Sequence, residues 1–77
     1  MIPGDLVRLE HVFKEPMPIY STWGNKVGGG DKPIGKIHPG EIGIVLESTL
    51  PKGGNGVRLM VSGNKIGWVN LNFLEKE

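Results

Sequence analysis

The chain of 77 residues contains no cysteine, so disulfide bonds and thiolate metal sites are excluded. The absence of cysteine also fits a reducing compartment. A chain of this length has room for one modest hydrophobic core, which must be stabilised by packing or by oligomerisation. We therefore expect residues 1–77 to form a single domain.

Long hydrophobic runs are also missing from the sequence. No apolar stretch approaches the roughly 20 residues that a membrane helix needs. The opening residues MIPGDLVRLEHV lack the basic and apolar regions of a secretory signal peptide. These two absences predict a cytoplasmic protein with no membrane partner.

The chain has no strong charge of either sign, because nine Lys and Arg residues are nearly balanced by eight Asp and Glu residues, for a net charge of +1. Dedicated nucleic-acid-binding domains usually carry a larger basic excess. Lys26, Lys32 and Lys36 are close together in the sequence. We interpret these lysines as residues that solvate a loop and give weak electrostatic steering of a partner.

Helical periodicity is nearly absent, whereas the alternation typical of β-strands is frequent. Four strands are expected, over residues 4–13, 41–48, 56–62 and 65–71. A further strand is expected around Met17 to Ser21 or Ile34 to Ile37. Gly63-Asn64 predicts a two-residue hairpin between the third and fourth of these strands. Residues 70–75 favour a single 3₁₀ turn.

Alternation also assigns side chains to the two faces of each strand. The segment 41–48 places Ile42, Ile44 and Leu46 on one face, and the other face carries Glu41, Gly43, Val45 and Glu47. The segments 4–13 and 56–62 separate apolar from polar side chains in the same way; their apolar faces carry Val7, Leu9, Phe13, Val57, Leu59 and Val61. Each strand is therefore expected to have one face on the core.

Proline and glycine mark places where a sheet ends or bends. Pro18 suits an edge strand or a loop wall, because proline cannot donate to the ladder of a central strand. Gly35, Gly43 and Gly67 are expected where strands bend or backbones approach closely. About five strands, a long first loop over residues 14–36 and no α-helix predict an all-β, strongly bent small barrel.

Catalytic and nucleotide-binding patterns were sought and not found. The glycines at 28–30 are followed by Pro33 and a strand-like stretch, whereas a phosphate loop requires a helix N-terminus at that point. His11 and His38 have no nucleophile or triad partner in a recognisable pattern. No spacing of metal ligands is present. The sequence therefore predicts a protein that is not an enzyme and has no cofactor or metal.

The ending of the chain carries a resemblance to a known family. Gly67-Trp68-Val69 followed by Phe73-Leu74 resembles the closing motif of the bacterial SH3-like domains, and the likeness covers roughly residues 34–75. A second set of segments is similar to the small SH3-like proteins of tailed phages: GDLVRL (4–9), GEIGIVLE (40–47), VRLMVSGNKIGWV (57–69) and FLE (73–75). The resemblance implies a five-stranded SH3-like barrel that acts as a non-enzymatic binding module. Asn70 stands where eukaryotic SH3 domains have the proline that walls their polyproline groove, which does not favour a proline-rich ligand.

A looser resemblance is to the KOW barrels of ribosomal and transcription factors. Their G-x-x-G-x-V turn corresponds here to residues 40–45, and it contacts RNA or protein in that family. The implied alternative is nucleic-acid binding through residues 36–45 and Arg58. A structural homo-oligomeric subunit is the third possibility.

The aromatic residues are the main candidates for a ligand-binding surface. If Val69 points into the core, then Trp68 points outward, where an exposed tryptophan is a candidate interaction hot spot. In SH3-like barrels the first loop faces the strand of this tryptophan. The expected ligand-binding residues are Tyr20, Trp23, Trp68 and Phe73, with electrostatic contacts from Lys26, Lys32, Lys36 and Arg58. The expected partner is a peptide or protein.

Overall fold

The computed structural model describes residues 1–21, 23, 33–48 and 54–77. Seven β-strands form one antiparallel sheet in the order β3-β2-β6-β5-β4-β1-β7. The strands are β1 (Leu6–Leu9), β2 (Met17–Tyr20), β3 (Pro33–Ile37), β4 (Gly43–Ser48), β5 (Gly56–Val61), β6 (Lys65–Asn70) and β7 (Leu74–Lys76). Two 3₁₀ turns, over Ser62–Asn64 and Leu71–Phe73, are the helical elements of the described residues. None of these elements is a helix long and apolar enough to cross a membrane.

The expectation of an all-β chain is confirmed, although the strand number differs. The segments expected over 41–48, 56–62 and 65–71 correspond to β4, β5 and β6, and the 3₁₀ turn near the C-terminus is present. The segment 4–13 is a strand only over Leu6–Leu9. Both candidates for the fifth strand are strands, so β2 and β3 occupy the two arms of the expected loop 14–36. β7 was not expected.

The sheet curls around its core without closing in the described residues. The molecule measures 28 × 25 × 24 Å, which a flat seven-stranded sheet could not match. The end strands β3 and β7 have no recorded pairing with each other. The closed barrel expected from the sequence is therefore not what the described strands form.

Pro18 lies in an internal strand, contrary to the expectation of an edge. β2 is located between β3 and β6 in the sheet. Its pairing with β6 is limited to Tyr20 opposite Trp68, whereas Pro18 is opposite Lys36 of β3. The proline is tolerated because the β2–β6 ladder does not extend to its position.

Ten aliphatic side chains form the core, and every strand contributes to it. They are Val7, Leu9, Ile19, Ile37, Val45, Val57, Leu59, Val61, Val69 and Leu74. The alternation in β5 is confirmed, since its three aliphatic residues are all buried. We call the side of the sheet that faces away from this core the outer face.

The buried face of β4 is its less hydrophobic one. Val45 is 1% exposed, whereas Ile42 and Ile44 are 40% and 36% exposed. Register decides this orientation, because Val45 is opposite the core residue Leu59. A Cβ atom at Gly43 would lie 3.3 Å from Leu59 Cδ1, so glycine leaves room for that side chain. The two isoleucines consequently lie on the outer face.

The link between β5 and β6 is a tight turn in which two residues have positive φ. Val61 is opposite Lys65, so the loop has three residues and not the expected two. Gly63 has φ 80° and Asn64 has φ 59°, in the left-handed region that glycine and asparagine tolerate. The antiparallel pairing expected from this dipeptide is confirmed.

Candidate functional site

One row of register partners crosses five strands on the outer face. It consists of Glu47, Arg58, Trp68, Tyr20 and Pro33, from β4, β5, β6, β2 and β3 in that order. Direct register partners place their Cβ atoms about 5 Å apart, so neighbouring side chains are within contact distance. We call this set the aromatic row.

The two aromatic residues of this row owe their orientation to buried neighbours. Val69 is 2% exposed and Ile19 is fully buried. Because successive side chains in a strand alternate between faces, Trp68 and Tyr20 point to the outer face. Both are half-buried. Such a pair combines a large apolar area with a polar tip on each ring, which is typical of protein interfaces.

Arg58 and Glu47 make the charged end of the row electrically neutral. The guanidinium Nη1 of Arg58 donates to Glu47 Oε1 at 2.9 Å, and both side chains are partly exposed. Arg58 was expected to make an electrostatic contact with a ligand. In the structure its charge is compensated beside Trp68, so the row offers no excess of positive charge.

Trp23 lies on the same face, above the beginning of β5. A Cβ atom at Gly56 would be only 2.3 Å from Trp23 Cδ1, which shows that the indole occupies the space a side chain would fill. Gly56 precedes Arg58 by two residues and therefore belongs to the outer face as well. The outer face thus carries Tyr20, Trp23 and Trp68 together, although their joint role in binding stays a prediction.

Phe73 belongs to a second aromatic pair. Its ring packs edge-to-face against Phe13, with centroids 5.3 Å apart and planes at 70°. The Phe73 carbonyl accepts a hydrogen bond of 2.9 Å from the Glu10 amide. These contacts attach the second 3₁₀ turn to the end of β1, and both rings are only half-buried. A structural role accounts for Phe73 without a ligand.

The three lysines of the expected steering group are only partly described. Lys36 is exposed on β3, opposite Pro18 of β2. Lys26 and Lys32 lie outside the described residues, as do the glycines at 28–30. Lys36 is therefore the single lysine of this group whose position is known.

The turn that resembles the KOW motif is organised by Glu41. Its carboxylate accepts hydrogen bonds from the His38 amide at 2.9 Å and the Ser62 amide at 2.8 Å, and a third from the Ser62 hydroxyl. Partial burial opposes ionisation, but these hydrogen bonds outweigh it and lower the pKa of Glu41 to about 2. The turn consequently carries a fixed negative charge, which does not favour contact with a phosphate backbone.

A shallow groove of about 250 Å³ opens near the end of β1. It is lined by Arg8, Leu9, Glu10, His11, Phe13, Lys14, Pro39 and Gly40. Arg8 is bound to two carboxylates, Glu75 at 2.9 Å and Glu77. Because the charge of Arg8 is already compensated by these carboxylates, its guanidinium does not favour binding of an anion in the groove.

Each of the two histidines lies near one carboxylate. His11 is 3.6 Å from Glu75, and His38 is 3.3 Å from Glu41; both rings are exposed. Over residues 1–21, 23, 33–48 and 54–77, no group of three His, Asp or Glu is placed to hold a metal ion.

Sequence reasoning missed the partners that complete the aromatic row. Alternation could orient Trp68, but Glu47 and Pro33 join the row only through the register of long-range pairs. No protein-family model, curated protein or solved structure matches the chain.

Proposed function

We propose that the chain is an SH3-like, non-enzymatic binding module that holds a segment of a protein partner against its aromatic face. The observation that carries this proposal is the presence of Tyr20, Trp23 and Trp68 on one outer face of the sheet. Tyrosine and tryptophan side chains have only two rotatable χ angles, so they lose little conformational freedom when a partner covers them.

The arrangement of strands supports the SH3-like interpretation. The arms of the first loop, β2 and β3, form a hairpin whose Tyr20 is opposite Trp68 of the GWV motif. The 3₁₀ turn follows this motif and leads into β7, which pairs with β1. We further propose a bacterial or phage origin and a cytoplasmic location, in keeping with the family resemblance.

The charge pattern favours a protein partner over a nucleic acid. Arg58 is the register partner of Trp68, and its guanidinium is paired with Glu47 at 2.9 Å. Glu41 places a carboxylate at the turn that would contact RNA in a KOW-like barrel. A ligand that relies on apolar and aromatic contacts fits this surface better than a polyanion does.

A peptide selection tests the proposal directly. A random peptide library is panned against the immobilised chain, and the affinity of each selected peptide is measured by calorimetry. Replacement Trp68→Ala should lower the affinity about tenfold or more, as expected for a hot-spot residue. Phe73→Leu is the control, because it changes an aromatic residue of the other pair.

Two outcomes would contradict the proposal. In the first, selected peptides bind the wild-type chain and a folded Trp68→Ala variant equally well. In the second, oligonucleotides bind in place of peptides, with log K falling by about 0.7–0.9 per log unit of salt for each phosphate contacted. Circular dichroism of both variants shows whether the fold is retained.

A further inference from the structure

A second row of register partners on the outer face is entirely apolar. Leu6 of β1 is opposite Ile44 of β4, Ile44 is opposite Met60 of β5, and Met60 is opposite Ile66 of β6. We call this set the apolar row. Leu6, Ile44 and Ile66 are 46%, 36% and 37% exposed, and Met60 is half-buried.

The apolar row is part of a continuous patch. Strands are spaced about 4.8 Å apart, so four adjacent strands carry the row across about 14 Å. Ile42, which immediately precedes β4 and is two residues from Ile44, is also 40% exposed. An outer sheet face is ordinarily polar when it meets only water, and contiguous apolar patches mark interaction sites.

We propose that this patch is the interface of a homodimer, in which a second copy of the chain covers the apolar row. The row is borne by consecutive strands β1-β4-β5-β6, so its midpoint lies between Ile44 and Met60. A two-fold axis near that midpoint superposes each row on its counterpart, apolar side chain against apolar side chain. An isologous contact requires such a self-complementary patch.

The charges beside the row suit a second copy better than a charged partner. Arg58 lies two residues before Met60 on β5, and its register partner Glu47 lies beyond a bulge on β4, so this neutral pair is beside the row on the outer face. A two-fold related copy presents the same two signs in reverse, so each group can meet its opposite. The net charge of +1 adds little long-range repulsion between copies.

A contact over four short strands is expected to give a weak dimer. The whole chain exposes 4822 Å². Dimerisation through a four-stranded face is expected to bury about 600 Å² of accessible surface per partner, which is at the low end of specific interfaces. We therefore expect a monomer–dimer equilibrium in the micromolar range and not an obligate dimer.

Sedimentation velocity on the purified chain from about 5 µM to about 500 µM tests the proposal over the range of weak affinities. The sedimentation coefficient should rise from the monomer towards the dimer value. Ile44→Lys should weaken dimerisation about tenfold or more, because two lysines would be desolvated at the centre of the interface. Ile34→Lys is the matched control: Ile34 is 45% exposed on β3, outside the apolar row, and its replacement should leave the dimer intact.

A measurement on the wild-type chain tests the same proposal if the Ile44→Lys variant does not fold. Amide chemical shifts of the wild-type chain at the two extremes of concentration should differ around Ile44, Met60 and Ile66. A monomer at every concentration would overturn the proposal. Shifts confined to other strands, or a dimer that a folded Ile44→Lys variant preserves, would equally overturn it. Peptide binding by Trp68 is read out separately, at concentrations where the chain is monomeric.

Discussion

Glu41 shows how one side chain can fix the relation between two turns. The His38–Glu41 turn precedes β4, and Ser62 begins the turn after β5. The Glu41 side chain is 13% exposed and bridges the two turns with hydrogen bonds to His38 and Ser62. Charge-assisted hydrogen bonds of this kind are stronger than neutral ones, so the carboxylate stabilises the fold while it is ionised.

Glu41→Gln should lower the free energy of unfolding by about 2 kcal/mol at pH 7. The folded-state pKa is about 2, below the ordinary value of 4.5. The stabilisation is therefore complete above pH 4.5 and is lost as the pH falls towards 2, where both states bind the proton. Urea denaturation of the wild-type and Glu41→Gln chains at several pH values should show their difference narrowing over this interval.

The control for this prediction is Glu47→Gln, which removes an exposed carboxylate with a single ion pair to Arg58. Exposed ion pairs contribute little to stability, so this variant should unfold close to the wild-type midpoint. A gap between wild type and Glu41→Gln that stays constant from pH 7 to about pH 2 would show that the charge of Glu41 is not what stabilises the turns.

At the scale of elements, the approach of β2 to β6 depends on the absence of a side chain at Gly67. A Cβ atom there would lie 2.9 Å from both Cβ and Cγ1 of Ile19, which is fully buried. Gly67→Ala should therefore lower the free energy of unfolding by about 1–3 kcal/mol, the usual effect of overpacking a core. Chemical denaturation measures the change.

Gly35→Ala is the matched control for the β2–β6 contact. Its new Cβ atom would meet Cδ of Lys65 at 3.0 Å, and this flexible side chain can move away at little cost. The control should be close to wild type in stability. Strand propensity by itself favours alanine over glycine, so an equal loss of stability in the two variants would show that the contact with Ile19 is not what requires glycine at position 67.

Local patterns sufficed to predict the elements whose neighbours are close in the chain. β5 and β6 are joined by a turn with two positive-φ residues, so Gly63 and Asn64 could indicate their pairing. β7 was not predicted, because three residues are too few to show the alternation of a strand. Its Leu74 can be recognised as a core residue only from its pairing with Leu9. The internal position of Pro18 likewise depends on where the β2–β6 ladder stops.

The candidate site was predictable in its parts and not in its arrangement. Alternation oriented Trp68 once Val69 was assigned to the core, and the expected position of Tyr20 beside it agrees with their register, while the binding role of both stays a prediction. Alternation favoured burial of the face with Ile42, Ile44 and Leu46, and the structure buries Val45 instead, with a bulge before Glu47. Only the long-range register places Ile44 outward, and the apolar row depends on that placement.

At the scale of the whole molecule, stability should decrease from the centre of the sheet to its ends. β5 pairs with both β4 and β6, and its Val57, Leu59 and Val61 are buried. β3 and β7 are the end strands of the sheet. Strands with neighbours on both sides and a buried face open mainly by global unfolding, whereas end strands open locally.

Native-state hydrogen exchange tests this gradient. Amides of β5 around Leu59 should exchange most slowly, with an opening free energy equal to that from denaturant unfolding. Amides of β7 around Lys76 should exchange about tenfold faster or more, since that strand is short and pairs with β1 alone among the described strands. The experiment is best performed on the Ile44→Lys variant as well, because a dimer would add protection to β4, β5 and β6.

Equal protection of β5 and both end strands in a monomer would mean that β3 and β7 are covered or paired, and the open sheet order would then be wrong.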